Sequence, residues 1–127
     1  MTKIVKKGTF KIDVYGTSVD IFIMDTAEDV VPQVEKIIKK HKGEIDDRDM
    51  ICDGYAVIIE EDPLKGYLVY CRESLSINII THETDHMRKY ILDFKDIEDH
   101  EASANLNGYI NQEVCRFIIK AGFVITY

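Results

Sequence analysis

The fold is decided by residues 55–86, YAVIIEEDPLKGYLVYCRESLSINIITHETDH, because the spacing of their apolar residues changes from that of β-strands to that of a helix. Two segments, Tyr55–Glu61 and Lys65–Cys71, are rich in β-branched and aromatic residues and are separated by an Asp-Pro turn sequence. We therefore predict two neighbouring, paired strands. Apolar residues then recur at helical spacing, which predicts a helix from about Leu75 to Asp93 with Ser74 as its cap.

The same patterns extend towards the N-terminus. Residues 9–24, TFKIDVYGTSVDIFIM, alternate apolar and polar side chains around Tyr15-Gly16-Thr17, a pattern typical of a β-hairpin. A helix is predicted from about Ala27 to His41, with Asp25 or Thr26 as its cap. The N-terminal part of the chain thus contributes two strands and one helix.

Towards the C-terminus, a last helix is predicted from about Ile97 to Lys120, begun by Asp96 or Asp99, and Phe123–Tyr127 is predicted to form a short closing strand. The order β-β-α-β-β-α-α indicates an α+β fold, a mainly antiparallel or mixed sheet packed against helices. A length of 127 residues suits one domain, residues 1–127.

Composition excludes several classes of partner. A formal net charge of −7 argues against nucleic acid, and no apolar run approaches the roughly 18 residues of a membrane span. With no secretory segment, we expect a cytoplasmic protein. Three widely spaced cysteines indicate neither a disulfide framework nor a cysteine zinc site. One basic cluster is interpreted as a solvated helix end: Lys36, Lys39, Lys40 and Lys42.

The segment THETDH, residues 81–86, carries the chemistry. His82 and His86 lie one helical turn apart, so both imidazoles can bind one cation, for which zinc is the default. Glu83 projects beside them, where its carboxylate can take a proton from a water bound to the metal. The alternative is an ordinary helix, but both histidines lie off its main apolar stripe. We therefore predict a metal site.

A zinc site of this type needs a third ligand. If the last helix folds back antiparallel, Glu101 near its start can supply a carboxylate oxygen, with small residues permitting close approach. Asn105, one turn later, is placed to hydrogen-bond a ligating histidine and fix its orientation. The alternative for Glu101 is an acid that stabilises the N-terminus of its own helix.

HETDH, residues 82–86, followed by Glu101-Ala102-Ser103-Ala104-Asn105, resembles the gluzincin metallopeptidases and is most similar to minimal ImmA/IrrE-type peptidases. The resemblance implies a small zincin-like domain, zinc bound by His82, His86 and Glu101, Glu83 as catalytic base, and a peptide or protein substrate. Those peptidases usually have a small residue where Asp85 stands and an acid where Ser103 stands.

Several alternatives remain open at this stage. The same chemistry could hydrolyse another amide or an ester, and a zincin-like interaction module without turnover would have the same sequence features. Either of the two strands in residues 55–71 could be the sheet edge to which a peptide adds. A donor to the developing oxyanion is also needed, and three residues near the motif are candidates: Tyr90, Tyr109 and His100.

Overall fold

The computed structural model describes residues 3–41, 52–61 and 63–127. Its strands and helices, in chain order, are β1 (Ile4–Ile12), β2 (Thr17–Met24), α1 (Val30–Lys40), β3 (Gly54–Ile59), β4 (Leu64–Cys71), α2 (Ile77–Phe94) and α3 (His100–Lys120). This order confirms the predicted α+β class. Within the described ranges, no helix is both long enough and apolar enough to cross a bilayer.

The sheet is mixed, with strand order β1-β2-β4-β3. The first hairpin, β1–β2, is antiparallel as predicted. β3 and β4 are paired neighbours as predicted, and they too run antiparallel. β2 pairs parallel to β4, with Ile21 opposite Leu68. A parallel pair needs a long crossover, and α1 lies within it. As a result β3 is an outer strand of the described sheet.

Side-chain alternation along the strands divides the core between the two faces of the sheet. On one face, Val19, Ile21 and Leu68 belong to the cluster that includes Ile80 of α2 and Ile110 of α3. On the other face, a second cluster joins strand residues to α1. The molecule therefore has three layers, with α1 on one side of the sheet and both α2 and α3 on the other.

Two predicted boundaries need correction, at the start of α2 and at the C-terminus, whereas one of the two predicted caps of α3 is confirmed. Residues 72–74 form a 3-10 turn, so α2 begins at Ile77 and its cap is Ser76 rather than Ser74. The cap of α3 is Asp99, one of the two predicted residues. The predicted closing strand is reduced to one bridge between Ser76 and Thr126, because Thr126 pairs with the backbone at the start of α2.

Two glycines let α2 lie close to the sheet. A Cβ atom at Gly66 of β4 would lie 2.7 Å from the sulfur of Met87, and one at Gly54 of β3 would lie 3.0 Å from Cγ of Glu83. These distances are shorter than ordinary van der Waals contacts. Because both positions lack a side chain, the part of α2 that carries THETDH can pack closely against β3 and β4.

Candidate functional site

An open cavity of about 340 Å³ lies between α2 and the outer strand β3. Three residues of the motif line it, namely His82, Glu83 and His86. The opposite wall comes from Cys52 and the start of β3, and Tyr90 lies one turn beyond His86. The fold thus places two of the three predicted ligands, His82 and His86, and the predicted base on one cavity that is bordered by a sheet edge.

The two histidines have the geometry of a chelating pair. Their Nε2 atoms are 3.2 Å apart, and the rings are almost perpendicular, at 89°. Two nitrogens 3.2 Å apart, each about 2.0–2.1 Å from a zinc ion, would subtend an angle of about 100°, close to tetrahedral. The same distance allows a hydrogen bond between neutral rings, one donating and the other accepting. The spacing of the two nitrogen atoms therefore fits a shared zinc ion as well as a hydrogen bond between the rings.

Glu83 is buried beneath the histidines, with 9% of its surface exposed. Its Oε2 lies 3.9 Å from Nε2 of His82. Burial raises the pKa of the Glu83 carboxyl, and the neighbouring His82 and His86 act in the opposite direction. A carboxylate with a raised pKa is a stronger proton acceptor than an exposed one, which suits a general base.

The structure does not bring Glu101 to the histidines. The helix α3 packs against the opposite side of α2, where the Thr84 hydroxyl donates to Oδ1 of Asn111 at 2.7 Å. Thr84 lies two residues from each histidine, so it points about 160° away from both at about 100° per residue. Glu101 is exposed, and its backbone N–H donates to the Asp99 carboxylate at 2.8 Å.

The predicted three-ligand site is therefore not assembled here. In the ranges 3–41, 52–61 and 63–127, no group of three or more His, Cys, Asp or Glu side chains is placed to hold a metal ion. Glu101 instead occupies the position of its alternative interpretation, an acid in the first turn of a helix. The geometry supplies two protein ligands where catalytic zinc sites have three.

Asn105 also lies apart from the histidines, so the structure does not place it for its predicted role. It is exposed and lines a different groove of about 510 Å³, between α3 and the connection of the first hairpin. Among the described residues, no hydrogen bond joins Asn105 to either imidazole. The cause is again the face of α3 that meets α2, which carries Asn111 rather than Asn105.

The two positions that depart from the peptidase pattern are joined by one side chain. Arg88 donates to the carboxylate of Asp85 at 2.8 and 3.0 Å and to the hydroxyl of Ser103 at 2.7 Å. The carboxylate that neutralises the charge of Arg88 therefore lies on α2 itself, and the Ser103 hydroxyl of α3 accepts a further hydrogen bond from the same guanidinium group. This bridge helps fix the orientation of α3 on the side of α2 away from the histidines.

The structure distinguishes between the three candidates for an oxyanion donor. Tyr109 donates to the carbonyl of Lys11 at 2.8 Å, and His100 begins α3 in a separate polar groove. Tyr90 lines the cavity, and its ring stacks on His86 with centroids 6.0 Å apart. Tyr90 is therefore the candidate that shares the cavity with the motif.

Cys52 is the cavity residue that sequence reasoning missed. Burial, followed by the charge of Glu83, raises the pKa of its thiol. Cys52 lies thirty residues before His82 and outside any recognisable motif, so only the pairing of β3 beside α2 brings it to the site. No local signal in the sequence could have found it.

Comparison with protein-family models, with curated proteins and with solved structures finds no match for this chain. Its candidate function therefore rests on the geometry of the site and on the resemblance of its motif.

Proposed function

We propose that this protein is a zinc-dependent hydrolase that cleaves peptide bonds, with His82 and His86 as zinc ligands and Glu83 as the general base. The observation that carries the proposal is the pair of imidazole nitrogens 3.2 Å apart above a buried carboxylate, on a cavity open to a substrate. When bound, zinc would lower the pKa of a water molecule and polarise the substrate carbonyl.

Two side chains of the cavity have the other catalytic roles in this proposal, Glu83 in proton transfer and Tyr90 as a hydrogen-bond donor. Glu83 takes a proton from the attacking water and returns it to the leaving amine, for which its burial and raised pKa are suited. Tyr90 is placed to donate a hydrogen bond to the oxygen that becomes negative as the carbonyl is attacked. Burial and the charge of Glu83 raise the pKa of Tyr90, so its hydroxyl keeps its proton at neutral pH.

The sheet edge supports a peptide as the substrate. β3 is one of the two outer strands of the described sheet, and its first residues border the cavity that holds the histidines. An extended peptide that adds to such an edge is held by main-chain hydrogen bonds, which fix its register. We propose β3, rather than β4, as the binding strand because β4 is paired on both sides.

A second candidate function is a zincin-like module that binds a protein partner without turnover. The position of Glu101 favours it, because two imidazoles alone are one protein ligand short of a usual catalytic zinc site. Besides the histidines, the metal-ligating side chains on the cavity are Glu83 and Cys52. The two candidates differ in whether metal and cleavage depend on these groups.

Metal content and peptide cleavage test the proposal together. We expect purified protein to bind one zinc ion per chain, and His82→Ala and His86→Ala to lose it. Glu83→Gln should retain zinc and reduce cleavage of fluorescently labelled, unfolded casein by about 10²–10⁴-fold. Tyr90→Phe should lower kcat more than it raises KM, because the donor acts in the transition state.

Two further variants serve as controls. Glu101→Gln removes the same functional group as Glu83→Gln from an exposed position, and the geometry predicts that it retains zinc and activity. Cys52→Ser tests whether the thiol contributes to binding the metal. Unchanged cleavage by Glu83→Gln would eliminate the proposed mechanism, and zinc without cleavage in the native protein would favour the binding module.

A further inference from the structure

A second polar cavity lies on the opposite face of the sheet from the histidines. The helix α1 packs mainly over β3 and β4, and beside it a cavity of about 240 Å³ extends over β1 and β2. Phe22 and Tyr67 provide its aromatic surface. Its other polar and charged lining consists of Lys7, Asp20, Gln33, Lys36 and Lys40.

Three ammonium groups line this cavity, those of Lys7, Lys36 and Lys40. No carboxylate in the described part of the chain pairs with Lys7, Lys36 or Lys40, although acids outnumber bases in the sequence. The carboxylate of Asp20 is already paired with Lys65 at 2.8 Å. Among the described residues, the lining of this cavity is therefore positive, although the chain has a formal net charge of −7.

Lys7 is also positioned by its surroundings. Its Nζ atom lies 5.3 Å from the centre of the Phe22 ring, a cation–π contact that holds the ammonium group at the cavity. Lys36 and Lys40 are one turn apart on α1, so they project from the same side of the helix. Cations from a strand and from a helix thus face one cavity.

Gln33 is an independent sign of a missing ligand. The residue is 4% exposed and lines the same cavity, and its Oε1 atom has no hydrogen-bond donor among the described residues. A buried carbonyl oxygen without a donor is costly, and such groups in native proteins are usually satisfied. An anion would pair with the lysines, and a hydrogen-bond donor on the same molecule would satisfy the Gln33 oxygen.

We propose that this cavity binds a small phosphate monoester that carries a hydroxyl group. The dianionic phosphate would contact Lys7, Lys36 and Lys40, and the hydroxyl would donate to Oε1 of Gln33. Lysine binds phosphate as a point charge. The two negative charges of a phosphate balance three lysines better than the single charge of a carboxylate does. A volume of 240 Å³ equals that of about eight water molecules, so the ligand is a small metabolite. The site is independent of the proposed hydrolase activity.

Calorimetry with sn-glycerol 3-phosphate at pH 8 tests this site. We expect saturable binding of one molecule per chain, and Lys7→Gln, Lys36→Gln and Lys40→Gln should each weaken it by about 3–10-fold. Lys39→Gln is the matched control, because Lys39 has the same charge on the same helix and does not line the cavity. It should bind like the native protein.

Methyl phosphate tests the role of Gln33, because it has the same phosphate ester and no hydroxyl. The native protein should prefer glycerol 3-phosphate, and Gln33→Met, which keeps the side-chain volume, should bind both esters equally. Equal losses in Lys39→Gln and Lys36→Gln would overturn the proposal, since they would show only diffuse charge attraction. So would retention by phosphatidic acid vesicles without binding of the soluble ester, which would assign the surface to a membrane.

Discussion

Asp96 ends α2 in the left-handed conformation, with φ of 57°, a region that favours glycine. The backbone N–H groups of Asp96 and Ile97 close the helix on the carbonyls of Asp93 and Leu92. Gly122 ends α3 with the same pair of hydrogen bonds and φ of 91°. The two helices thus share one terminating motif, and only α3 has glycine at the left-handed position.

We therefore predict opposite effects at these two positions. Asp96→Gly should stabilise the protein by about 0.5 kcal/mol, because it relieves the left-handed backbone at some cost in unfolded-state entropy. Gly122→Ala should destabilise it by about 1 kcal/mol. Urea denaturation measures both changes, and a destabilised Asp96→Gly protein would show that the Asp96 side chain contributes more than its backbone strain costs.

At the same scale, the relative placement of the motif side chains could be predicted from local spacing. The convergence of His82 and His86 follows from an offset of four residues on a helix, and the position of Glu83 beside them follows from an offset of one. The caps were predicted less well, since Asp99 was correct and Ser74 was wrong. Near Ser74 several residues can accept the first helical N–H groups, and tertiary pairing with Thr126 determines which one does.

Packing between elements provides a matched pair of glycine substitutions. A Cβ atom at Gly8 of β1 would lie 2.3 Å from the Phe117 ring of α3, whereas one at Gly66 of β4 would meet the thioether of Met87. A ring is rigid, and a methionine side chain can adopt another rotamer. We predict that Gly8→Ala costs about 2–3 kcal/mol of unfolding free energy and that Gly66→Ala costs about 1 kcal/mol.

A double substitution separates steric strain from strand effects. Adding Phe117→Leu to Gly8→Ala should recover part of the loss, because the smaller side chain leaves room for the new methyl group, and a double-mutant cycle measures this coupling. If Gly8→Ala proves as mild as Gly66→Ala, α3 must shift readily over β1. Such a shift would also weaken the argument that α3 has a fixed orientation on α2.

The prediction for Glu101 depended on how two elements, α2 and α3, pack against each other. Sequence periodicity shows which residues of α3 share a face, but both faces contain small and polar residues, so it does not show which face meets α2. The contacts of Thr84 with Asn111 and of Arg88 with Ser103 determine that orientation. Because both contacts join residues far apart in the sequence, no local pattern encoded them.

At the scale of the whole molecule, the mixed strand order has a consequence for the site. The parallel pairing of β2 with β4 leaves β3 on the outside, where its first residues meet the histidines. Among the described residues, α1 is also the one helix on its face of the four-stranded sheet, and the lysine-lined cavity lies beside it. The sequence predicted a mixed or antiparallel sheet, but strand order depends on long-range contacts that periodicity does not contain.

The two proposed sites lie on opposite faces of the sheet, so their ligands should stabilise the fold independently. Zinc at about one hundred times its Kd should stabilise the protein by about 2.7 kcal/mol, which raises Tm on the order of 10 °C. Saturating glycerol 3-phosphate should add its own shift, with the two free energies additive within about 0.5 kcal/mol, as for distant sites. Differential scanning calorimetry with each ligand alone and with both measures these shifts.

His82→Ala should abolish only the zinc shift, and Lys36→Gln should reduce only the phosphate shift. If His82→Ala keeps the full zinc shift, zinc binds elsewhere, whereas loss of both shifts in either variant would show that the two faces of the sheet are coupled.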